Sequence, residues 1–148
     1  MKVSDIMTKQ VIGIGAEESV EVAARTLTRH NIGALPVCSA DGKLCGMVTD
    51  RDLVTRCVAA NKPTAATTVR QVMSTQVHCA TPDMAIGTAA HLMGRQGVRR
   101  LPVVENGKLC GMLSLGDIAC YEESSMDAAD ALTDMTENLR KPYENRGF

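Results

Sequence analysis

The sequence predicts an α/β (α+β) fold made of two β-α-β-β-α repeats packed around a pseudo-two-fold axis. Two observations predict it. The chain repeats its own words: Val3-Ser4-Asp5-Ile6-Met7-Thr8 returns as Val69-Arg70-Gln71-Val72-Met73-Ser74, and Leu35-Pro36-Val37 returns as Leu101-Pro102-Val103. The same order of hydrophobic periods then fills each copy. A unit of about sixty residues is small for a solitary core, so two copies are expected to pack together with clefts between them.

After a short amphipathic opening, Val11-Ile12-Gly13-Ile14 is expected as a brief strand. Val20, Ala23, Ala24 and Leu27 mark one face of a helix at i, i+3, i+4 and i+7, matched in the second copy by Ile86, Ala89, Ala90 and Met93. On the outer face, Glu21, Arg25 and Arg29 stand four apart as a solvated charge ladder. Asn31-Ile32-Gly33 and the stretch Gly94 to Gly97 are expected to end these helices, since they tolerate left-handed geometry. A hairpin follows in each copy. Leu35 to Cys38 and Leu44 to Thr49 turn at Asp41-Gly42, and the second hairpin turns at Asn106-Gly107. Leu53, Val54, Cys57 and Val58 supply the expected buried side of the next helix. The resulting boundaries are a first repeat over 1–61, a linker over 62–68, a second repeat over 69–121 and a tail over 122–148.

In the tail, Met126, Ala129, Leu132, Met135 and Leu139 recur at three or four residues, while Asp127, Asp130, Asp134 and Glu137 fill the other side. That pattern predicts an acidic amphipathic helix with a frayed end. It docks on its own domain, caps a dimer or touches a partner.

Composition narrows the function. The chain has 148 residues, 16 Lys and Arg against 17 Asp and Glu, a formal net charge of −1, no Trp, two Tyr and one Phe. No basic field and no aromatic platform point to nucleic acid. No apolar run approaches a membrane span and Met1-Lys2-Val3-Ser4-Asp5 is not a signal-peptide opening, so the expected compartment is the cytoplasm. The six cysteines contain no C-x-x-C pair, and Cys45 and Cys110 fall at equivalent apolar places, which favours packing over redox or disulfide chemistry. His30, His78 and His91 have no second ligand at zinc-finger spacing, so no metal is expected. No phosphate loop, H-E-x-x-H or G-x-S-x-G motif is present, and no enzyme activity is expected.

Three words carry a family resemblance: the opening that ends in Met7-Thr8 and Met73-Ser74, the Leu-Pro-Val strand, and a Gly-hydrophobic-x-Thr/Ser-x-x-Asp close. The last reads Gly46-Met47-Val48-Thr49-Asp50-Arg51-Asp52 and Gly111-Met112-Leu113-Ser114-Leu115-Gly116-Asp117. All three occur twice, in order and at matched spacing, and together they resemble the tandem cystathionine β-synthase-type (CBS) domain pair, or Bateman module, over residues 1 to about 121. The resemblance implies a regulatory sensor rather than a catalyst. Its expected ligand is an adenosine-containing molecule of the AMP, ADP or ATP class, or NAD or S-adenosylmethionine. It also implies a homodimer, and action in trans on an enzyme or transporter is a further expectation.

By this resemblance Asp52 and Asp117 accept from ribose hydroxyls, and Thr49 and Ser114 contact ribose or phosphate. An ionised carboxylate suits that task, being acceptor-only. The same Thr/Ser-x-x-Asp pattern is also a helix capping box, and both roles can coexist. One cleft is expected to combine Thr8, Ile12, Ile32 and Gly33 with Arg99, Arg100, Ser114 and Asp117, the arginines facing phosphate. A second would combine Thr49 and Asp52 with Ser74, His78 and Val98. Ala34 there cannot pair with phosphate, and Arg51 stands equally as a compensating cation or a solvated side chain. The alternative function is a ligand-free dimerising scaffold whose terminal helix binds a partner protein.

Overall fold

The computed structural model describes residues 1–121 and 125–144, with side chains through 138. Its elements run α1 (Val3–Ile6), α2 (Val20–His30), β1 (Ala34–Cys38), β2 (Leu44–Thr49), α3 (Asp50–Leu53, continuing as a π-helical turn over Val54–Val58), α4 (Val69–Val72), α5 (Ile86–Gln96), β3 (Arg100–Glu105), β4 (Lys108–Ser114), α6 (Leu115–Ala119) and α7 (Ser125–Glu144). Helices and two small two-stranded sheets make a mixed α+β fold.

The chain forms two compact units, and their membership departs from the order of the repeats. The first unit holds Ile12–Val77 with Asn106–Leu109; the second holds Met1–Val11, His78–Glu105 and the chain from Cys110 onward. The opening helices account for most of the difference, and hydrogen bonds from Leu44 N to Gly107 O and from Leu109 N to Gly42 O account for the hairpin tip. Val3 and Ile6 of α1 are buried with Ile86, Leu101 and Leu113 of the second repeat. Val69 and Val72 of α4 are buried with Val20, Leu35 and Val48 of the first. Backbone hydrogen bonds anchor each crossover: Val3 N donates to Met84 O at 2.9 Å, and Val69 N donates to Glu18 O at 2.8 Å.

In the first unit, Ser19 caps α2 by accepting from Val22 N, and Asn31 ends it in the left-handed conformation at φ 51°. Arg25 and Glu21 pair along its outer face, as their spacing predicts. Gly97 ends α5 in the second unit at φ 65°. Asn106 and Gly107, both at positive φ, make the second hairpin's turn.

The strand expected over Val11 to Ile14 shrinks to one bridge, Ile14 beside Val37, with Ala80 beside Val103 as its counterpart. The cause is proline. Ile14 N donates to Pro36 O and Cys38 N donates to Ile14 O, but Pro36 has no N–H with which to extend the ladder. Pro102 imposes the same limit on Ala80.

A second edge contact was not anticipated. Thr8 and Met112 exchange backbone hydrogen bonds at 2.8 and 2.9 Å in the second unit, as Ser74 and Met47 do at 2.8 and 2.9 Å in the first. Gly46 and Gly111 make this approach possible. A Cβ on Gly46 would lie 2.6 Å from Ser74 O, and one on Gly111 would lie 3.1 Å from Thr8 O.

Two expected apolar faces are corrected. Leu53 and Cys57 are buried, but Val54 and Val58 are 57% and 61% exposed, so only one ridge of that helix meets the core. Among the described side chains of α7 the buried ones are Ala128, Ala131 and Met135, whereas Met126 is 72% and Leu132 45% exposed. Leu139 lies outside the residues whose side chains are described. Small residues on α5 cause this change of register. A Cβ on Gly94 would meet Ala131 Cα at 3.1 Å, and one on Gly87 would meet the Asp127 carboxylate at 3.5 Å. Gly94 is therefore a packing surface rather than a helix end, and α7 turns its alanines inward to fit it.

Candidate functional site

The two Thr/Ser-x-x-Asp motifs sit where a strand hands over to a helix. In the second unit Asp117 N donates to Ser114 Oγ at 3.0 Å and Ser114 N donates to Asp117 Oδ2 at 2.9 Å. In the first, Asp52 N donates to Thr49 Oγ1 at 3.1 Å and Thr49 N donates to Asp52 Oδ2 at 2.9 Å. Both are complete capping boxes. Each box uses one carboxylate oxygen and leaves the other for a further partner.

That second oxygen distinguishes the motifs. Asp52 Oδ1 has Arg56 Nε at 3.8 Å. Arg56 Nη1 also donates to Val72 O and Met73 O at 3.1 Å each, tying α3 to the end of α4. Tyr121 stands at the position equivalent to Arg56 in the second repeat. Among the described residues Asp117 faces no such cation.

The preceding strand is fixed to each motif by one bond. Leu115 N donates to Arg99 O at 2.8 Å, and Asp50 N donates to Gly33 O at 3.0 Å. This seats Arg99 beside the start of α6, with Arg100 opening β3. Both arginines are exposed, and among the described residues neither forms an ion pair. A cavity of about 570 Å³ is lined by Arg99, Arg100 and Ser114, by Leu115 and Ala119 of α6, and by Ala128, Ala129 and Leu132 of α7. Contributions from α7 lay outside the sequence reading, because its registry against α5 depends on Gly87 and Gly94.

Of the residues expected in the preferred cleft, Thr8, Arg99, Arg100, Ser114 and Asp117 belong to the second unit, and Ile12, Ile32 and Gly33 to the first. Of the other set, Thr49, Asp52 and Ser74 share the first unit, while His78 and Val98 belong to the second. Arg51 is exposed at the first turn of α3.

All six cysteines are thiols outside any disulfide. Burial pushes the Cys38 thiol above its ordinary range, helped by neighbouring Cys45. Burial does the same at Cys79, and at Cys110 with Glu105 adding to it. Raised thiols are poor nucleophiles, in keeping with a packing role.

Known proteins bear on this arrangement. The CBS domain family profile matches residues 3–59 and 69–124. The CBS domain-containing protein YhcV of Bacillus subtilis is 38% identical over 134 residues, covering 90% of this chain and 94% of that protein. A CBS domain pair of protein MJ0100, solved in complex with 5′-methylthioadenosine and S-adenosyl-L-methionine, superposes with a TM-score of 0.73 at 30% identity, over 81% of this chain and 94% of that one.

A third similarity overturns one expectation. The crystal structure of Hypoxic Response Protein I, with a TM-score of 0.77 and 32% identity over 82% of this chain and 98% of that one, contains two coordinated zinc ions. The expectation that no metal is required is thereby corrected. It rested on the spacing of His30, His78 and His91 along the sequence, and spacing cannot test ligands that folding gathers from distant positions. Among the described residues no three His, Cys, Asp or Glu side chains come together as a metal site would need, so these residues do not by themselves fit zinc. With the repeat, the paired capping motifs and the profile in agreement over most of its length, the chain belongs to the CBS domain family.

Proposed function

We propose that this chain is a regulatory module that senses an adenosine-containing ligand, and that Arg99, Arg100, Ser114 and Asp117 form its principal anchor. The observation that carries the reading is that, among the described residues, Asp117 Oδ1 meets no cation, in the same unit as Arg99 and Arg100, which form no ion pair among those residues, and a cavity of about 570 Å³. A carboxylate oxygen already oriented by a cap takes ribose hydroxyls without further ordering cost. Two guanidinium groups suit phosphate oxygens. The MJ0100 domain pair, bound to two adenosyl compounds, supports the ligand class. Thr8, in the same unit, is proposed to add to the site. Thr49, Asp52 and Ser74, together in the first unit, are assigned to a weaker second one.

The protein is proposed to work as a cytoplasmic homodimer, regulating an enzyme or transporter in trans. Cysteines that form no disulfide suit a reducing compartment. Exposed Val22, Val54 and Val58 offer apolar surface for a second copy. Among the described residues no helix is long and apolar enough to cross a membrane.

Melting temperature measured against AMP, ADP, ATP, NAD, 5′-methylthioadenosine and S-adenosylmethionine tests the reading. A specific ligand at one hundred times its Kd stabilises by about 2.7 kcal/mol, and Asp117→Asn cuts that shift by about half or more. Exposed Met126 and Leu132 on α7 favour the scaffold alternative. No ligand shift, together with capture of a partner that Met126→Ser abolishes, would establish it instead.

A further inference from the structure

We infer that helix α7 is a working wall of the ligand site: the cavity beside Arg99 and Arg100 takes a phosphate ester on an apolar body, and binding clamps α7. The inference rests on the nucleotide reading above and adds to it an element beyond the residues matched by the family profile, which end at 124.

The lining divides by chemistry. Arg99, Arg100 and Ser114 supply cations and a hydroxyl, whereas Leu115, Ala129 and Leu132 supply hydrocarbon. An inorganic anion would satisfy only the first group. A nucleoside monophosphate satisfies both, with its base against the hydrocarbon.

The packing of α7 explains the coupling. Among the described residues its buried side is Ala128, Ala131 and Met135, with Ala131 set against Gly94 of α5. Leu132 remains 45% exposed although it lines the cavity. A ligand seated there buries apolar surface on α7 that the unliganded fold leaves in water, so it favours the docked helix. By linkage, whatever loosens α7 weakens the ligand by the same factor.

Full-length protein, titrated calorimetrically with AMP, adenosine and ribose 5-phosphate and followed by amide exchange over 125–138, provides the test. AMP is expected to bind more tightly than either fragment and to slow exchange across α7. Leu132→Ser should weaken AMP about fivefold and leave ribose 5-phosphate unchanged, as loss of half a leucine's burial requires. Ala129→Phe, filling the cavity from an exposed position, should weaken AMP more than tenfold at an unchanged unliganded melting temperature. If AMP binds and depends on Asp117, while Leu132→Ser, Ala129→Phe and α7 exchange show no effect, the wall is refuted and the sensor reading survives. If none of the adenine nucleotides binds, both fall together.

Discussion

Arg56 Nε lies 3.8 Å from Asp52 Oδ1, and the same guanidinium ties off the carbonyls of Val72 and Met73. The first motif is thus partly satisfied by its own chain. Among the described residues the second retains an oxygen at Asp117 with no such cation beside it. Duplication has produced two frames of one shape with unequal capacity for a new hydrogen-bond donor.

That inequality predicts unequal mutants. Asp117→Asn keeps an oxygen for the cap but loses the charge, so nucleotide affinity should fall by about 1.5–3 kcal/mol, the worth of a charged hydrogen bond. Asp52→Asn should change affinity far less. Titration calorimetry of the two variants side by side checks the ranking, and equal losses would contradict it.

Arg56→Ala should destabilise the fold by about 1–3 kcal/mol through the two carbonyls it abandons. Little of that belongs to the ion pair, because Arg56 is half exposed and water screens it. The Asp52→Asn change should therefore cost much less than Arg56→Ala in urea denaturation.

Steric demand separates Gly46 from Gly111. A Cβ at Gly46 meets a backbone oxygen at 2.6 Å, whereas at Gly111 the closest atom is the flexible Met7 sulfur, at 2.7 Å. Gly46→Ala should cost about 1–3 kcal/mol, as overpacked cores do, and Gly111→Ala visibly less. Thermal melts of both proteins decide.

Packing of α7 makes a related prediction. Gly94→Val places methyl groups where Ala131 Cα now stands, within 3.1 Å of the new Cβ. Exchange over 125–138 should accelerate while amides of the first unit keep their protection. Uniform loss of protection would show that the helix and the first unit unfold together.

Alkaline pH should weaken the fold. Cys38, Cys79 and Cys110 are each held above the ordinary thiol value of 9.0, chiefly by burial. Thiols of the unfolded chain ionise first, so the stability these groups contribute is complete below pH 9.0 and is lost as pH rises through their higher folded values. Urea midpoints should fall across that range, and Cys38→Ala should flatten the decline.

The repeat, both hairpin turns, the helix ends at Asn31 and Gly97 and both capping boxes were legible in the sequence because each is a local signal with a local cause. Failures share a different origin. Val54 and Val58 fit an apolar stripe, yet the core admits only Leu53 and Cys57. Met126 and Leu132 fit one equally well, but the glycines of α5 select the alanine face of α7. Periodicity ranks faces by hydrophobicity, whereas close packing ranks them by shape. The proposed site divides the same way: Ser114 and Asp117 were visible as a motif, while the cavity lining from α7 depended on a registry between helices about forty residues apart.

The exchange of opening helices bears on how this chain matures on the ribosome. Residues 12–77 carry nearly all of the first unit, which can consolidate once α4 has emerged. Val3 and Ile6 are made before that unit but must wait for partners at Ile86, Leu101 and Leu113. Until translation passes that point, helix α1 is a tether without a mooring, and bulk placed directly ahead of Val3 would burden the half that finishes last.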